Sequence, residues 1–180
     1  EKVRQALYGL GWQEGEVDIR AAKNIDDRSF HLLSILDVRG YAFVMYISHG
    51  GYKVLDDGIE HSFIQGFRGA EQGRVFAPYI TKEEYATWVK AHEEGKIFPL
   101  ASTSETTGEA VWELWLRDDF IKSRLKADPG AMFYFISCNS WRLREEFSVV
   151  SPGGFAAWDR RAQGPLGQKA ISKMLTEMRG

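Results

Sequence analysis

Tyr41–Gly51 reads YAFVMYISHGG, and the placement of this stretch decides the fold. Tyr41 to Tyr46 are all apolar or aromatic, and the run then stops on Ile47-Ser48-His49-Gly50-Gly51. A short apolar run bounded by glycines predicts a strand buried on both faces, as in the middle of a parallel sheet. The design recurs at Ala131–Trp141, AMFYFISCNSW, a second buried run that ends on Cys138, the only cysteine of the chain. In open α/β sheets, ligands and chemistry gather at the carboxyl ends of the strands. Two such strands, one ending on a histidine and one on a cysteine, predict a thiol–imidazole pair at one sheet edge.

Outward from this stretch, helical and strand patterns alternate. Lys2–Leu10 carries Val3, Ala6, Leu7 and Leu10 at helical spacing, with Gly11 as a stop. Trp12–Ala22 sets Val17 and Ile19 among polar residues, the pattern of a half-buried strand. Asn24–Asp27 caps a predicted helix over Arg28–Val38. Alternating helix and strand predict βαβ units and a parallel sheet.

The interval from His49 to Cys138 is longer than one crossover uses, so it predicts an insertion at about 51–129. Gly51–Gly73 reads as a hairpin or an irregular lid. Thr81–His92 reads as a helix opened by a capping box, and Ala101–Thr107 as a polar loop. Residues 106–125 read as another helix, with Trp112, Leu116 and Phe120 on one face. Asp128-Pro129-Gly130 marks a turn before the cysteine strand. Leu143–Val150 fits more than one element, Gly153–Trp158 reads as a further buried strand, and Leu166–Met178 as an amphipathic helix.

At 180 residues the chain fits one domain, 1–180, large enough for a three-layer core. Apolar residues at 44% and charged residues at 27% are those of a soluble globular protein. A net charge of −2 disfavours nucleic acid and acidic membrane surfaces as partners. Arg142, Arg144, Arg160 and Arg161 form the densest basic cluster, too small to argue from in sequence alone. A single cysteine excludes an internal disulfide and suits a reducing, cytoplasmic compartment. No phosphate-binding glycine loop occurs, so no nucleotide cofactor is expected.

A thiolate beside an imidazole can attack a carbonyl, and the imidazole can return the proton to the leaving amine. The oxyanion that forms needs donors, and Gly50, with no side chain in the way, can present its N–H. The N–H of Cys138 can supply a second. The bland alternative stays open beside this one: Cys138 as a small core residue and His49-Gly50 as a turn.

The order of these motifs resembles the caspase-fold cysteine peptidases of clan CD, and within them the CHAT and gingipain-like bacterial members. In that family a hydrophobic strand ends in His-Gly and a later one in Ala-Cys or Ser-Cys, as at His49-Gly50 and Ser137-Cys138 here. Leu7-Tyr8-Gly9-Leu10-Gly11-Trp12 looks like the family's first helix, and Gly153–Trp158 like the strand after the nucleophile. The resemblance implies a three-layer α/β/α sandwich with a mostly parallel central sheet, whose first strand is missing from this chain, either because an N-terminal part has been removed or because the strand comes from elsewhere. It implies a fragment of a larger protein in which another domain or a partner protein controls the site. It further implies His49 as general base, Cys138 as nucleophile and Gly50 as oxyanion donor in a protease acting on polypeptides. Ile136 stands where members that cut after basic residues carry Asp, so that route to specificity is absent. Trp141, Trp158 and Asp159 are the candidate substrate-binding residues. Asp159 can select a basic residue or pair with Arg160 or Arg161.

Two readings compete with an active peptidase: a catalytically inactive interaction module of the same fold, and a thiol hydrolase of small amides. No metal is expected. His31, His49, His61 and His92 with Cys138 match no compact zinc-ligand spacing. Asp56, Asp57 and Glu60 read as a solvated turn rather than a calcium site.

Overall fold

The computed structural model describes residues 2–17, 36–69, 82–103, 107–150, 153–161 and 164–177. Both predicted core strands form. β1 (Phe43–Ile47) and β6 (Met132–Ile136) pair in parallel, Phe43 opposite Met132 through Ile47 opposite Ile136. β7 (Gly154–Ala156) adds a third parallel strand, giving the order β1-β6-β7. β6 is the central one, and Phe133, Tyr134, Phe135 and Ile136 are all buried. β1 departs from expectation here. Phe43–Tyr46 are half-buried and Ile47 is exposed, because among the described strands β1 lies at the sheet edge.

The chain is mixed α/β, but its strands do not make one mostly parallel sheet. β2 (Gly50–Val54), β3 (Glu60–Gly69), β4 (Ile97–Thr103) and β5 (Ala110–Arg117) form a second, antiparallel sheet in the order β2-β3-β5-β4. The whole of it lies between His49 and Cys138 in sequence. β2 and β3 make the hairpin allowed for Gly51–Gly73, of which residues 70–73 lie outside the described part.

The helix expected over 106–125 is instead β5 followed by a short helix, α3 (Asp118–Arg124). The misreading has a simple cause. Spacing of four is even, so Trp112 and Leu116 share a face of a strand as readily as a face of a helix. Pairing on both sides, to β3 and to β4, then settles the matter, and Leu114 and Leu116 are 0% exposed. The predicted polar loop at Ala101–Thr107 is also partly strand, since β4 continues to Thr103. Its Pro99 is tolerated because β4 is an edge strand.

Helices cover the parallel sheet on both faces. On one, α1 (Lys2–Gly9) and α5 (Gly164–Glu177) bring Val3, Leu7, Ile171 and Leu175 against Phe43, Met45, Tyr134 and Ile136. Gly167 lets α5 lie directly on β6, because a Cβ there would run into the Ile136 side chain. On the other face, Phe147 of α4 (Arg144–Val150) sits among aromatic rings, with centroids 4.9 Å from Phe133, 4.7 Å from Phe135 and 5.7 Å from Phe155. That core continues through Phe120, Ile121 and Leu125 to Ile64, Leu114, Leu116 and Ile97 of the antiparallel sheet. It ends at Trp88 and Ala91 of α2 (Lys82–Glu93).

Of the predicted strand at 12–22, residues 12–17 are described and form no strand, while 18–22 lie outside the described residues, as do 28–35 of the predicted helix at 28–38. Glu14–Glu16 form a single 3-10 turn. No helix among the described residues is long and apolar enough to cross a membrane.

Phe147→Ala removes the ring at the centre of the aromatic cluster on this face of the parallel sheet. It is expected to cost about 3–5 kcal/mol of stability, read from the shift of the urea unfolding midpoint.

Candidate functional site

Parallel pairing in register dictates what leaves the two strands at their carboxyl ends. The Ser48 N–H still donates to the Ile136 carbonyl at 3.3 Å, one step beyond the last paired residues. His49 follows Ile47 by two residues and Cys138 follows Ile136 by two, so they emerge at equivalent positions on neighbouring strands about 4.8 Å apart. His49 is exposed, and Cys138 is half-buried with no disulfide. The expected histidine and cysteine thus share one rim.

At this rim the chain passes from one sheet to the other. The His49 carbonyl accepts the Gln65 N–H at 2.9 Å, so β2 pairs with β3 from its first residue. That bond makes Gly50 and Ile64 a non-hydrogen-bonded pair, and the Gly50 N–H is turned away from β3. A Cβ on Gly50 would collide with the Ser137 hydroxyl and lie 2.5 Å from the Cys138 carbonyl. Only glycine allows β2 to begin against the Ser137-Cys138 peptide. Ser137 itself is fully buried, and its hydroxyl has no hydrogen-bond partner among the described residues. Such a group costs about 1–3 kcal/mol.

Cys138 is thrown outward by the turn that follows it. Asn139 takes the left-handed conformation, φ 55° and ψ 18°, which asparagine tolerates better than other side-chain-bearing residues. A 3-10 turn, Ser140–Leu143, then leads into α4. Ser140, buried, ties the turn together. Its hydroxyl donates to the Ser137 carbonyl at 2.7 Å and accepts the Trp158 N–H at 3.3 Å. The Asn139 N–H donates to the Arg160 carbonyl at 2.9 Å, and the Trp141 N–H to the Trp158 carbonyl at 3.0 Å. These bonds carry Trp158, Asp159 and Arg160 to the cysteine turn. Sequence reasoning missed Asn139 and Ser140. Their only signal was that both residue types favour turns.

The three candidate binding residues differ in kind. Trp141 is 43% exposed, with its ring 6.4 Å from Phe155 and the Arg144 guanidinium 5.0 Å from its centroid. Trp158 is half-buried, and its backbone N–H and carbonyl are both tied to the cysteine turn, which makes it an anchor. Asp159 is exposed between Trp158 and Arg160. Arg142 clasps the turn to the hairpin: its guanidinium lies 3.9 Å over the Tyr52 ring and pairs with Glu60.

The histidine and acidic constellations are dispersed. His31 lies outside the described residues. His92 Nδ1 is 3.1 Å from the Ile97 carbonyl. His61 joins Asp118 and Asp119, whose ligand-type atoms lie within 4.8 Å of one another, a cluster that sequence reasoning did not find. Each member is already engaged. Arg117 holds both oxygens of Asp119, at 2.7 and 2.6 Å, while Asp118 accepts from the Ser62 N–H at 2.7 Å and meets His61 Nδ1 at 2.8 Å. A cation there would face the Arg117 guanidinium, so the cluster is an ion-pair network. Asp57 belongs to it, 3.6 Å from His61 Nε2, and Glu60 is taken by Arg142. A cleft of about 650 Å³, lined by Phe63, Phe98, Leu100 and Trp115, opens on the antiparallel sheet rather than at Cys138.

The chain matches no family model, no curated protein and no solved structure.

Gly50→Ala is expected to destabilise the protein by about 1–3 kcal/mol through the collision at Ser137. Gly51→Ala, with nothing within 4 Å of its Cβ, should change stability by under about 1 kcal/mol in the same denaturant titration. A pH effect is expected at Glu146, whose carboxyl is pushed up first by burial and further by nearby Asp118. A raised carboxyl favours the fold below its unfolded value and loses that advantage as pH rises through the folded one. Glu146→Gln should therefore gain stability over the wild type as pH rises from 4 to 7. Paired thermal melts across that range check it.

Proposed function

We propose that this chain is a cysteine endopeptidase domain in which Cys138 is the nucleophile and His49 the general base. One observation carries the reading: the two residues each follow, by two positions, strand residues that pair in register, so both belong to the same carboxyl edge of the parallel sheet. The resemblance to caspase-fold peptidases supports it, with His-Gly and Ser-Cys ending neighbouring parallel strands.

The chemistry runs in two halves. His49 takes the Cys138 proton, and the thiolate sulfur attacks the carbonyl carbon of the scissile peptide. The Gly50 N–H, turned away from β3, serves the oxyanion of the tetrahedral intermediate together with the Cys138 N–H. Its collapse breaks the C–N bond, and the imidazolium protonates the departing amine, leaving a thioester on Cys138. Water, deprotonated by His49, then attacks the thioester and regenerates the thiol.

Control by another domain or a partner protein fits the same arrangement. Gly50 is both the proposed oxyanion donor and the first residue of β2. A partner that shifts the antiparallel sheet therefore shifts His49-Gly50 against Cys138.

A peptide-library digest read by mass spectrometry tests the proposal. Wild-type protein should give a consistent cleavage pattern, Cys138→Ala none, and His49→Ala a rate lower by about 10²–10⁴. His49→Ala should also slow iodoacetamide alkylation of Cys138 at pH 7 several-fold. Equal cleavage by Cys138→Ala, or alkylation indifferent to His49, would exclude the dyad.

A further inference from the structure

We propose that substrate polypeptides add to the free edge of β2 as an extra antiparallel strand, and that the aromatic cleft on the outer face of that sheet takes a large apolar side chain at P2, the second residue before the scissile bond. The proposal rests on the peptidase reading and names the substrate class of that same site.

Two bonds fix the phase of the edge. The Gln65 N–H donates to the His49 carbonyl at 2.9 Å, and the Leu55 N–H to the Ile59 carbonyl at 3.0 Å. Bonded pairs alternate along an antiparallel ladder, so Gly51 and Lys53 use their main-chain groups on β3 while Gly50, Tyr52 and Val54 turn theirs outward. β2 ends the order β2-β3-β5-β4, and among the described residues no strand pairs with this outward row. The opposite edge is blunted. The Arg117 N–H on the Lys96 carbonyl sets the same alternation there and turns Pro99 of β4 outward, where it has no N–H to give.

Gly50 belongs to the free row, and its N–H is the proposed oxyanion donor. A substrate whose P1 carbonyl accepts that N–H is already in strand register. Its P1 N–H then meets the Gly50 carbonyl, and P3 faces Tyr52 in the same way. Side chains stand off the faces of a sheet, and the Cβ position of Gly50 runs into the Ser137 hydroxyl and the Cys138 carbonyl. The peptide that carries the nucleophile therefore lies over the flat face of the P1 carbonyl, the side from which attack comes.

P2 falls opposite Gly51 and points to the other face of the sheet. A Cβ on Gly51 would meet nothing within 4 Å, so a P2 side chain has room to pass over it. It enters the cleft of about 650 Å³ lined by Phe63, Phe98 and Trp115. The solvent face of an antiparallel sheet is ordinarily polar, whereas this one carries aromatic walls that are already set. Phe63 and Phe98 meet edge to face, with centroids 5.4 Å apart and planes at 77°, and the Trp115 indole N–H donates to Glu113 at 3.2 Å. Fixed apolar walls receive a large apolar side chain without first having to be ordered.

Synthetic variants of a cleaved peptide test the proposal. With wild-type protein, Leu or Phe at P2 should raise kcat/KM about tenfold over Ser. N-methylation of the P3 amide removes the donor to the Tyr52 carbonyl and should lower kcat/KM about tenfold. The same change at the P2 amide, which points away from β2, should lower it by under about twofold. Trp115→Ala removes a wall and Gly51→Val narrows the entrance, and each should cut the P2 preference several-fold. Circular dichroism of each variant checks that it is folded.

Equal kcat/KM across P2 residues, or tolerance of the P3 methyl group, overturns the proposal and leaves the peptidase standing. Absence of any cleavage sinks the peptidase, and the edge is then read by anisotropy of fluorescein-labelled peptides of alternating Leu and Thr on Cys138→Ala. Binding that is lost on N-methylation of every second amide, and weakened by Trp115→Ala, keeps the added strand. No binding, or binding without that alternation, overturns it.

Discussion

Register between two parallel strands is the constraint on which this structure turns. Phe43–Ile47 and Met132–Ile136 pair residue for residue, and a shift by one position would turn Phe133 and Phe135 away from Phe147 and toward α1 and α5. The aromatic cluster around Phe147 penalises every such slip. Because the register is held there, so is the relative height at which His49 and Cys138 leave the sheet. The core, not the loops, aligns the candidate pair.

Gly50 is where packing and chemistry meet. The chain leaves a parallel sheet at Ile47 and enters an antiparallel one at Gly50, and the two sheets come so close there that no side chain fits. The Ser137 hydroxyl, buried with no partner among the described residues, sits on the other side of that contact. An unsatisfied group and a glycine-only approach beside Cys138 are local costs, borne by the two cores on either side.

The turn after Cys138 shows how short-range chemistry converts a buried strand end into a half-buried position at the rim. Asn139 reverses the chain, Ser140 locks the reversal to Ser137 and Trp158, and the stretch through Arg160 is drawn alongside. Arg142 and Tyr52 clasp the turn to the β2–β3 hairpin from the other side. The surface around the sulfur is thereby assembled from three segments far apart in the chain, and its electrostatic character belongs to none of them singly.

Much of this was legible in the residues. Apolar runs ending on His49 and Cys138 announced two neighbouring strands, of which only the second is buried throughout, and the periodicity of Lys2–Leu10 and Leu166–Met178 marked the helices that cover them. Local pattern failed over Ala110–Arg117, where even spacing satisfies strand and helix alike and only pairing with β3 and β4 decides. It also failed to reveal the second sheet as a sheet, because antiparallel partners as distant as Phe63 and Arg117 leave no mark on each other's neighbours. The sequence by itself determined which residues are able to form a thiol–imidazole pair, since side-chain type and run length are local properties. Tertiary structure alone decided that they share a rim, that Gly50 must be glycine, and that Trp158–Arg160 lie against the cysteine turn. Each of those depends on distances between segments that only the packed core specifies.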